Sequence, residues 1–172
     1  AESVAQVDRL AAMVNDVLRS GSVAEQALRQ EKRLRIDKLI TEVVDDYMLL
    51  AKTRNMAFTV DAHPTTIRAN RDMIRHVISN LVSNAVRHGD AGSMITITCD
   101  QHELAIENAC KPLTKQQLQH VFDPFYRANT QAKQTPNNSG IGLYTVKILL
   151  DAKGLDYDFT PHGRGMRFIV KL

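Results

Sequence analysis

The chain has 172 residues, 44% of them apolar, and a formal net charge of +3, which suits one domain with a core or one domain with a short appendage. Basic and acidic residues are interleaved, so no basic stripe indicates a nucleic-acid partner. Cys99 and Cys110 lack metal-ligand spacing and are expected to be reduced thiols, and no apolar run reaches the roughly 20 residues that cross a bilayer.

The first part of the chain is predicted to be one long helix over residues 2–29. Its apolar residues recur at steps of three and four and form a narrow stripe, which needs a partner in a hairpin or in a second copy of the chain. The chain begins inside this helix, so we expect it to be a piece of a longer protein. The charged residues 29–38 are interpreted as a solvated joint.

Helices and strands alternate over the rest of the chain. The apolar patterns predict helices at 39–50, 74–89, 115–121 and 140–152, and strands at 56–62, 66–69, 94–99, 104–106, 157–160 and 166–170. This order predicts an α+β fold, a two-layer α/β sandwich in which helices cover a mixed sheet, preceded by the long N-terminal helix. Residues 127–139 lack large apolar side chains and are expected to be mobile.

The predicted helix 74–89 has two different faces. Apolar residues at the i, i+3, i+4, i+7 spacing predict a buried stripe; Asp72 is placed to cap the helix start and Gly89 to end it in a left-handed turn. Asn80 and Asn84 lie one turn apart on another face. An amide oxygen is a neutral ligand suited to Mg²⁺ that also carries phosphate oxygens. The alternative is that both asparagines only form hydrogen bonds within the helix.

Two glycines, Gly140 and Gly142, precede the helix at 140–152. Glycine at a helix start lets the backbone approach a phosphate, whose charge the free N–H groups and the helix dipole favour. The Gly-x-Gly pattern is common, but its position directly after the polar segment strengthens this interpretation. The aromatic segment 122–126 precedes the polar segment and is interpreted as its anchor.

The segment from Asn80 to His88, Asn-Leu-Val-Ser-Asn-Ala-Val-Arg-His, resembles the N box of sensor histidine kinases. These kinases share the Bergerat, or GHKL, fold with a wider group of ATPases. The resemblance implies that Asn80 and Asn84 bind Mg²⁺ and phosphate oxygens and take part in catalysis. It also implies that Arg87 contacts phosphate and that His88 lies against the adenine ring.

Three further segments are similar to the same family. Phe-Asp-Pro-Phe-Tyr-Arg at 122–127 resembles the F box, Ser-Gly-Ile-Gly-Leu at 139–143 resembles the second glycine box, and the polar segment between them resembles the ATP lid. The resemblance implies that Arg127 reaches the phosphates during catalysis. The nucleotide-binding residues implied by these segments are Phe125, Tyr126, Arg127, Lys133, Gly140, Ile141, Gly142 and Leu143.

The first glycine box departs from the family pattern. Where Asp-x-Gly-x-Gly is usual, this chain has Asn-Ala-Cys-Lys-Pro, starting at Asn108. The resemblance implies that Asn108 reads the adenine, more weakly than aspartate because a neutral acceptor lacks charge, and that Cys110 lies in the same nucleotide-binding segment. In having an asparagine at this position, the chain is similar to VanS-type sensor kinases. The third glycine motif is reduced to Gly163 and Gly165.

The resemblance covers nearly the whole chain and implies the partners. Residues 1–30 are similar to the second helix of a dimerisation and phosphotransfer hairpin, and residues 36–172 to the catalytic ATP-binding domain. ATP and Mg²⁺ are the implied cofactors. The implied partners are a phospho-accepting helix outside this chain and a response regulator receiver domain. The parent protein is expected to be a homodimer anchored in the bacterial cell membrane, with this domain in the cytoplasm.

Two other functions compete with a histidine kinase domain. An ATP-hydrolysing relative needs a carboxylate one turn before the metal-binding asparagine, and that position is Asn80, a poor base. A scaffold without nucleotide would explain the altered first glycine box. The presence of both asparagines, Arg87, the F box and the Gly140–Gly142 pair argues against the scaffold.

Overall fold

The computed structural model describes residues 29–128 and 140–172. The predicted N-terminal helix, apart from its last residue, and most of the polar segment, including Lys133 and Ser139, lie outside these ranges. In the described part of the chain, no helix is both long and apolar enough to cross a membrane.

The described residues contain four helices and seven strands, in the order β1-α1-β2-β3-α2-β4-β5-α3-α4-β6-β7. The helices are α1 (Ile36–Thr53), α2 (Arg71–His88), α3 (Lys115–His120) and α4 (Gly142–Lys153). The strands are β1 (Lys32–Arg35), β2 (Ala57–Ala62), β3 (Thr66–Ala69), β4 (Met94–Cys99), β5 (Glu103–Ala109), β6 (Tyr157–His162) and β7 (Gly165–Lys171).

Five strands form a mixed sheet in the order β2-β4-β5-β7-β6. Strand β2 runs parallel to β4, and the other neighbouring pairs are antiparallel. The register places Ile106 of β5 between Ile97 of β4 and Phe168 of β7. Because side chains alternate along a strand, these three form one apolar row on the inner face.

Helices α1, α2 and α4 bury their apolar sides on this inner face and share one core with it. The fully buried side chains include Ile36, Leu39, Ile40, Ile78, Val82, Ile95, Ile97, Leu149 and Leu150. The other face is polar: Arg167 forms ion pairs with Glu103 at 3.1 Å and Glu107 at 3.0 Å. This two-layer arrangement confirms the predicted fold class.

The prediction that residues 29–38 form a solvated, charged joint is wrong. Residues Lys32–Arg35 form β1, which pairs antiparallel with β3, and α1 begins at Ile36. Leu34 and Ile67 lie opposite each other in this pair and pack against the core. The charged side chains of β1 occupy its exposed positions, so the sequence shows a charge run while the backbone forms a strand.

Helix α2 has the predicted buried stripe, but both predicted ends need correction. Asn70, not Asp72, caps the start: its side-chain oxygen accepts from Asp72 N at 2.9 Å and Met73 N at 3.1 Å. Gly89 ends the helix with φ −66° and ψ 154°, which is extended and not left-handed. In α1, Leu50 is exposed at the end of the helix.

Candidate functional site

The two asparagines of α2 are both half-buried. The Asn80 amide nitrogen donates to the carbonyl of His76 at 2.9 Å, one turn earlier. This bond fixes the amide plane and leaves the side-chain oxygen directed away from the backbone of α2. The Asn84 side chain forms no hydrogen bond with any described residue, so its amide is available to a ligand.

The N-terminus of α4 faces Asn80. A Cβ built on Gly142 would lie 3.2 Å from the Asn80 side-chain oxygen, closer than is usual for a Cβ contact. Ile141 precedes the helix, is buried, and forms the first helical bond through its carbonyl to Thr145 N at 2.8 Å. No side chain among the described residues caps α4. The first N–H groups of α4 therefore keep their capacity to bind an anion.

The aromatic motif is joined by a backbone hydrogen bond to Gly140. Phe125 N donates to the carbonyl of Gly140 at 3.1 Å. Both residues have positive φ, 65° and 73°, and a Cβ on Gly140 would lie 2.9 Å from the Tyr126 carbonyl oxygen. Glycine is required at position 140 because a Cβ there would clash with this carbonyl oxygen, and the positive φ of Gly140 is also one that residues with a side chain rarely adopt.

Three ring contacts hold the aromatic motif on the domain. The ring of Phe122 packs edge-on against those of Tyr157 and Phe168, at centroid distances of 5.5 and 6.2 Å. Tyr126 lies beside the His120 ring at 5.7 Å. The predicted role of residues 122–126 as an anchor agrees with these contacts.

Positive charge gathers at the C-terminal end of α2. Arg87 and His88 lie in its last turn. Loss of hydration around the imidazole lowers the pKa of His88, and the charges of Arg87, Arg54 and Arg127 lower it further. Arg127, from the distant aromatic motif, is therefore near enough for its charge to act on His88.

Arg54, which the sequence analysis did not single out, binds the end of α2. Its guanidinium donates to the carbonyl of Arg87 at 2.7 Å, to that of Gly89 at 2.9 Å, and to that of Val86. A lone arginine after a helix is not a recognisable motif. Its contacts depend on how α1 packs against α2.

Asn108 lies in β5 and is half-buried beside the end of α2. Its amide nitrogen would be 3.5 Å from a Cβ built on Gly89, and its carbonyl oxygen would be only 1.9 Å from one on Gly165. The two glycines thus make room for its side chain and its backbone. The pKa of the nearby Cys110 thiol is raised, mainly by burial and further by the charge of Asp90. A hydrogen bond with Asn108 opposes this shift.

The structure brings most of the predicted site residues into three groups. Asn80 meets Gly142, Arg87 and His88 share an electrostatic environment with Arg127, and the aromatic motif meets Gly140. Leu143 packs against the core from α4. Asn108 and Cys110 adjoin the end of α2, and Lys133 lies outside the described residues. An asparagine helix, a glycine helix start and arginines together supply groups that can hold a polyphosphate and a divalent cation.

Comparison with known proteins agrees with this class of site. Residues 69–172 match the family described as histidine kinase-, DNA gyrase B- and HSP90-like ATPase. The fold and the match define an ATP-binding domain. The chain belongs to this family.

The most similar relatives include sensor kinases of two bacteria. The chain is 29% identical over 175 residues to the sensor histidine protein kinase HK06 of Streptococcus pneumoniae, covering 100% of this chain and 39% of that protein. It is 30% identical over 172 residues to the sensor histidine kinase CusS of Escherichia coli, covering 97% of this chain and 36% of that protein. The chain thus spans little more than a third of these curated relatives.

Solved structures show the same fold. The nucleotide-free catalytic domain of the histidine kinase ThkA matches with a TM-score of 0.72 at 24% identity, over 83% of this chain and 95% of that chain. ThkA in complex with the response regulator protein TrrA also matches with a TM-score of 0.72, at 20% identity, over 98% of this chain and 48% of that chain.

Proposed function

We propose that this chain is the catalytic ATP-binding domain of a two-component sensor histidine kinase. The observation that carries the proposal is the meeting of Asn80 with Gly142, which joins the asparagine helix to the uncapped start of α4. Family membership and the names of HK06 and CusS support the choice of a sensor kinase over other ATPases.

Asn80 and Asn84 would hold Mg²⁺ through their amide oxygens, together with phosphate oxygens of ATP. The described residues contain no cluster of three or more His, Cys, Asp or Glu side chains arranged for a metal. Neutral amide oxygens suit a Mg²⁺ ion whose charge is balanced mainly by the phosphates. The ion would neutralise charge that develops during phosphoryl transfer.

The nucleotide would lie between the end of α2 and the start of α4. Arg87 and Arg127 would neutralise the phosphates, and the N–H groups of Gly142 and Leu143 would donate to them. His88 would lie against the adenine, and Asn108 would accept from its amino group, with Cys110 beside it. Phe125 and Tyr126 of the aromatic motif would contact the nucleotide at this end, together with Gly140 and Ile141.

The reaction would transfer the γ-phosphoryl group to a histidine outside this chain. A ring nitrogen of that histidine attacks phosphorus, a P–N bond forms, the bond to the β-phosphate oxygen breaks, and ADP leaves. The imidazole gives up its proton to complete the step. An aspartate of a response regulator would then accept the phosphoryl group; ThkA, one structural match, is itself bound to a response regulator.

The whole protein would be a membrane-anchored homodimer with this domain in the cytoplasm. Residues 1–30 would contribute the second helix of its dimerisation hairpin. The support for this architecture is the apolar stripe of residues 2–29 and the sensor kinase names of relatives more than twice as long.

A two-stage experiment tests the proposal. Calorimetry with ATP and Mg²⁺ should show binding to this chain, with no stable label transferred to the chain itself from γ-labelled ATP. Adding a separate helical hairpin that carries an acceptor histidine should produce acid-labile label on the hairpin. Fast ATP turnover without the hairpin would favour a hydrolase, and stable label on this chain alone would show an acceptor within the chain; either result would contradict the proposal.

A further inference from the structure

The C-terminal end of α2 lacks the usual glycine cap. The last carbonyls of a helix have no intrahelical partner, and a left-handed glycine commonly supplies the N–H groups that satisfy them. Here Gly89 is extended, and its N–H group bonds only to the Ala85 carbonyl at 2.9 Å. The turn that carries Arg87 and His88 therefore needs donors from elsewhere in the fold.

Arg54 supplies these donors from the end of α1. One guanidinium nitrogen donates to the carbonyls of Val86 and Arg87, and the other donates to that of Gly89. A guanidinium carries five N–H donors in a rigid fork, so a single side chain can serve three carbonyls. The positive charge also opposes the negative end of the helix dipole.

The backbone of Arg54 is itself held at two points. Its N–H group donates to the Ala51 carbonyl at 3.0 Å, and its carbonyl accepts from Gly92 N at 3.0 Å. The next residue, Asn55, turns the chain with φ 54°. Arg54 is thus fixed between the end of α1 and the loop before β4, and its guanidinium is a rigid support.

Gly89 connects Arg54 to Asn108. The Gly89 carbonyl is held by Arg54, and a Cβ built on Gly89 would lie 3.5 Å from the amide nitrogen of Asn108. A Cβ at Gly89 would also lie 2.5 Å from the Met56 Cε and 2.6 Å from the Ala85 carbonyl oxygen. A small shift of Gly89 would therefore change the space available to the Asn108 side chain.

We infer that Arg54 is a positioning residue of the nucleotide site: it holds the last turn of α2 so that Arg87, His88 and Asn108 keep the spacing that a nucleotide requires. This inference rests on the proposed function, because it assigns Arg54 a role at that site. Arg54 acts through backbone carbonyls and has no contact with the nucleotide itself.

The test compares Arg54→Gln, Arg54→Lys and Arg68→Gln. Arg68 is an exposed arginine of β3 and serves as the control for loss of a surface charge. Mg·ATP affinity is measured by calorimetry at 10 °C, where folding of each variant is first verified, and melting temperature is measured separately. Nuclear magnetic resonance titration gives the pKa of His88.

Arg54→Gln should weaken Mg·ATP binding roughly tenfold, the effect expected if the displaced last turn of α2 loses about one charge-assisted hydrogen bond between Arg87 and the nucleotide. It should also raise the pKa of His88, because the Arg54 charge lowers it. Arg54→Lys should leave that pKa near its native value yet still weaken binding several-fold, since an ammonium group cannot span three carbonyls. Arg68→Gln should bind like the native chain.

The inference is wrong if both Arg54 variants melt at lower temperature but, while folded, bind Mg·ATP within twofold of the native chain. That result would make Arg54 a cap that only stabilises the fold. If Arg54→Gln does not fold, the Arg54→Lys affinity decides. If the native chain binds no Mg·ATP, the proposed function and this inference are both wrong. If the native chain binds Mg·ATP, Asn84→Ala abolishes that binding and the Arg54 variants do not weaken it, this inference alone is wrong.

Discussion

The side-chain oxygen of Asn80 faces Gly142 so closely that a Cβ built on Gly142 would lie 3.2 Å from it. The Asn80 amide nitrogen is engaged by the His76 carbonyl, and the oxygen is therefore the atom that faces α4. Two helices far apart in the sequence meet at this pair. The distance between them sets the width of the proposed phosphate cleft.

Gly142→Ala should weaken Mg·ATP binding without lowering the melting temperature. The added methyl group presses on the Asn80 oxygen, while alanine is more favourable than glycine in a helix. Calorimetry and thermal denaturation measure the two effects. Gly154→Ala is the matched control, because Gly154 caps α4 with φ 73° and an open surrounding. It should lose about 1 kcal/mol of stability and keep native affinity.

Asn80→Ala and Asn84→Ala should each abolish Mg²⁺-dependent ATP binding and leave the fold intact. Both side chains are half-buried on the cleft side of α2 and outside the apolar core. Asn70→Ala provides the contrast, because Asn70 caps the start of the same helix. That variant should lose about 1 kcal/mol of stability while binding ATP normally. Unchanged affinity in both cleft variants would refute the proposed metal ligands.

Asn108→Asp should tighten ATP binding about fivefold, because a charged acceptor forms a hydrogen bond stronger by roughly 1 kcal/mol. It should also sharpen the preference for ATP over GTP, since guanine has a carbonyl where adenine has an amino group. Dissociation constants for both nucleotides with the native chain, Asn108→Asp and Asn108→Ala provide the measurement. Equal binding by all three proteins would make Asn108 a residue of the strand end only.

Acid should remove a stabilising contribution that depends on Asp37. The Arg35 guanidinium donates to both Asp37 oxygens, at 2.8 and 2.6 Å, and Thr65 N donates at 3.2 Å. The hydrogen bond from Arg35 is the main cause that lowers the pKa of Asp37 from 3.8 to about 2. The unfolded chain takes up the proton first as pH falls, so the stabilisation is complete above pH 4 and is lost between about pH 4 and pH 2.

Urea unfolding at a series of pH values tests this expectation. The native chain should be more stable than Asp37→Asn at pH 6, and the difference in unfolding free energy should narrow below pH 4. The control is Asp158→Asn, which changes an exposed aspartate of β6. If the unfolding free energies of the native chain and Asp37→Asn differ by the same amount down to pH 2, the assigned role of the Arg35–Asp37 pair is wrong.

Much of the fold was predictable from local patterns. The predicted bounds 66–69 and 94–99 agree with β3 and β4, and the apolar stripe of α2 is buried as expected. These patterns succeed because helical and strand periods are properties of neighbouring residues. The motifs at 80–88, 122–127 and 139–143 were also visible in the sequence, because each is a short contiguous segment.

Other features exist only because distant segments pack together. Strand β1 obtains its partner from β3, so its charged sequence alone did not indicate a strand. The end of α2 is capped by Arg54 and not by its own glycine. A donor from another helix leaves no periodic signal in the segment that it caps.

The sequence by itself determined the local elements, the apolar faces and the chemical identity of the motifs. Only the tertiary structure decided that Asn80 meets Gly142, that Arg127 acts on His88, and that Arg54 holds the end of α2. The physical reason is that period and residue type are encoded along the chain. The distance between two motifs is set by the core that packs their helices together.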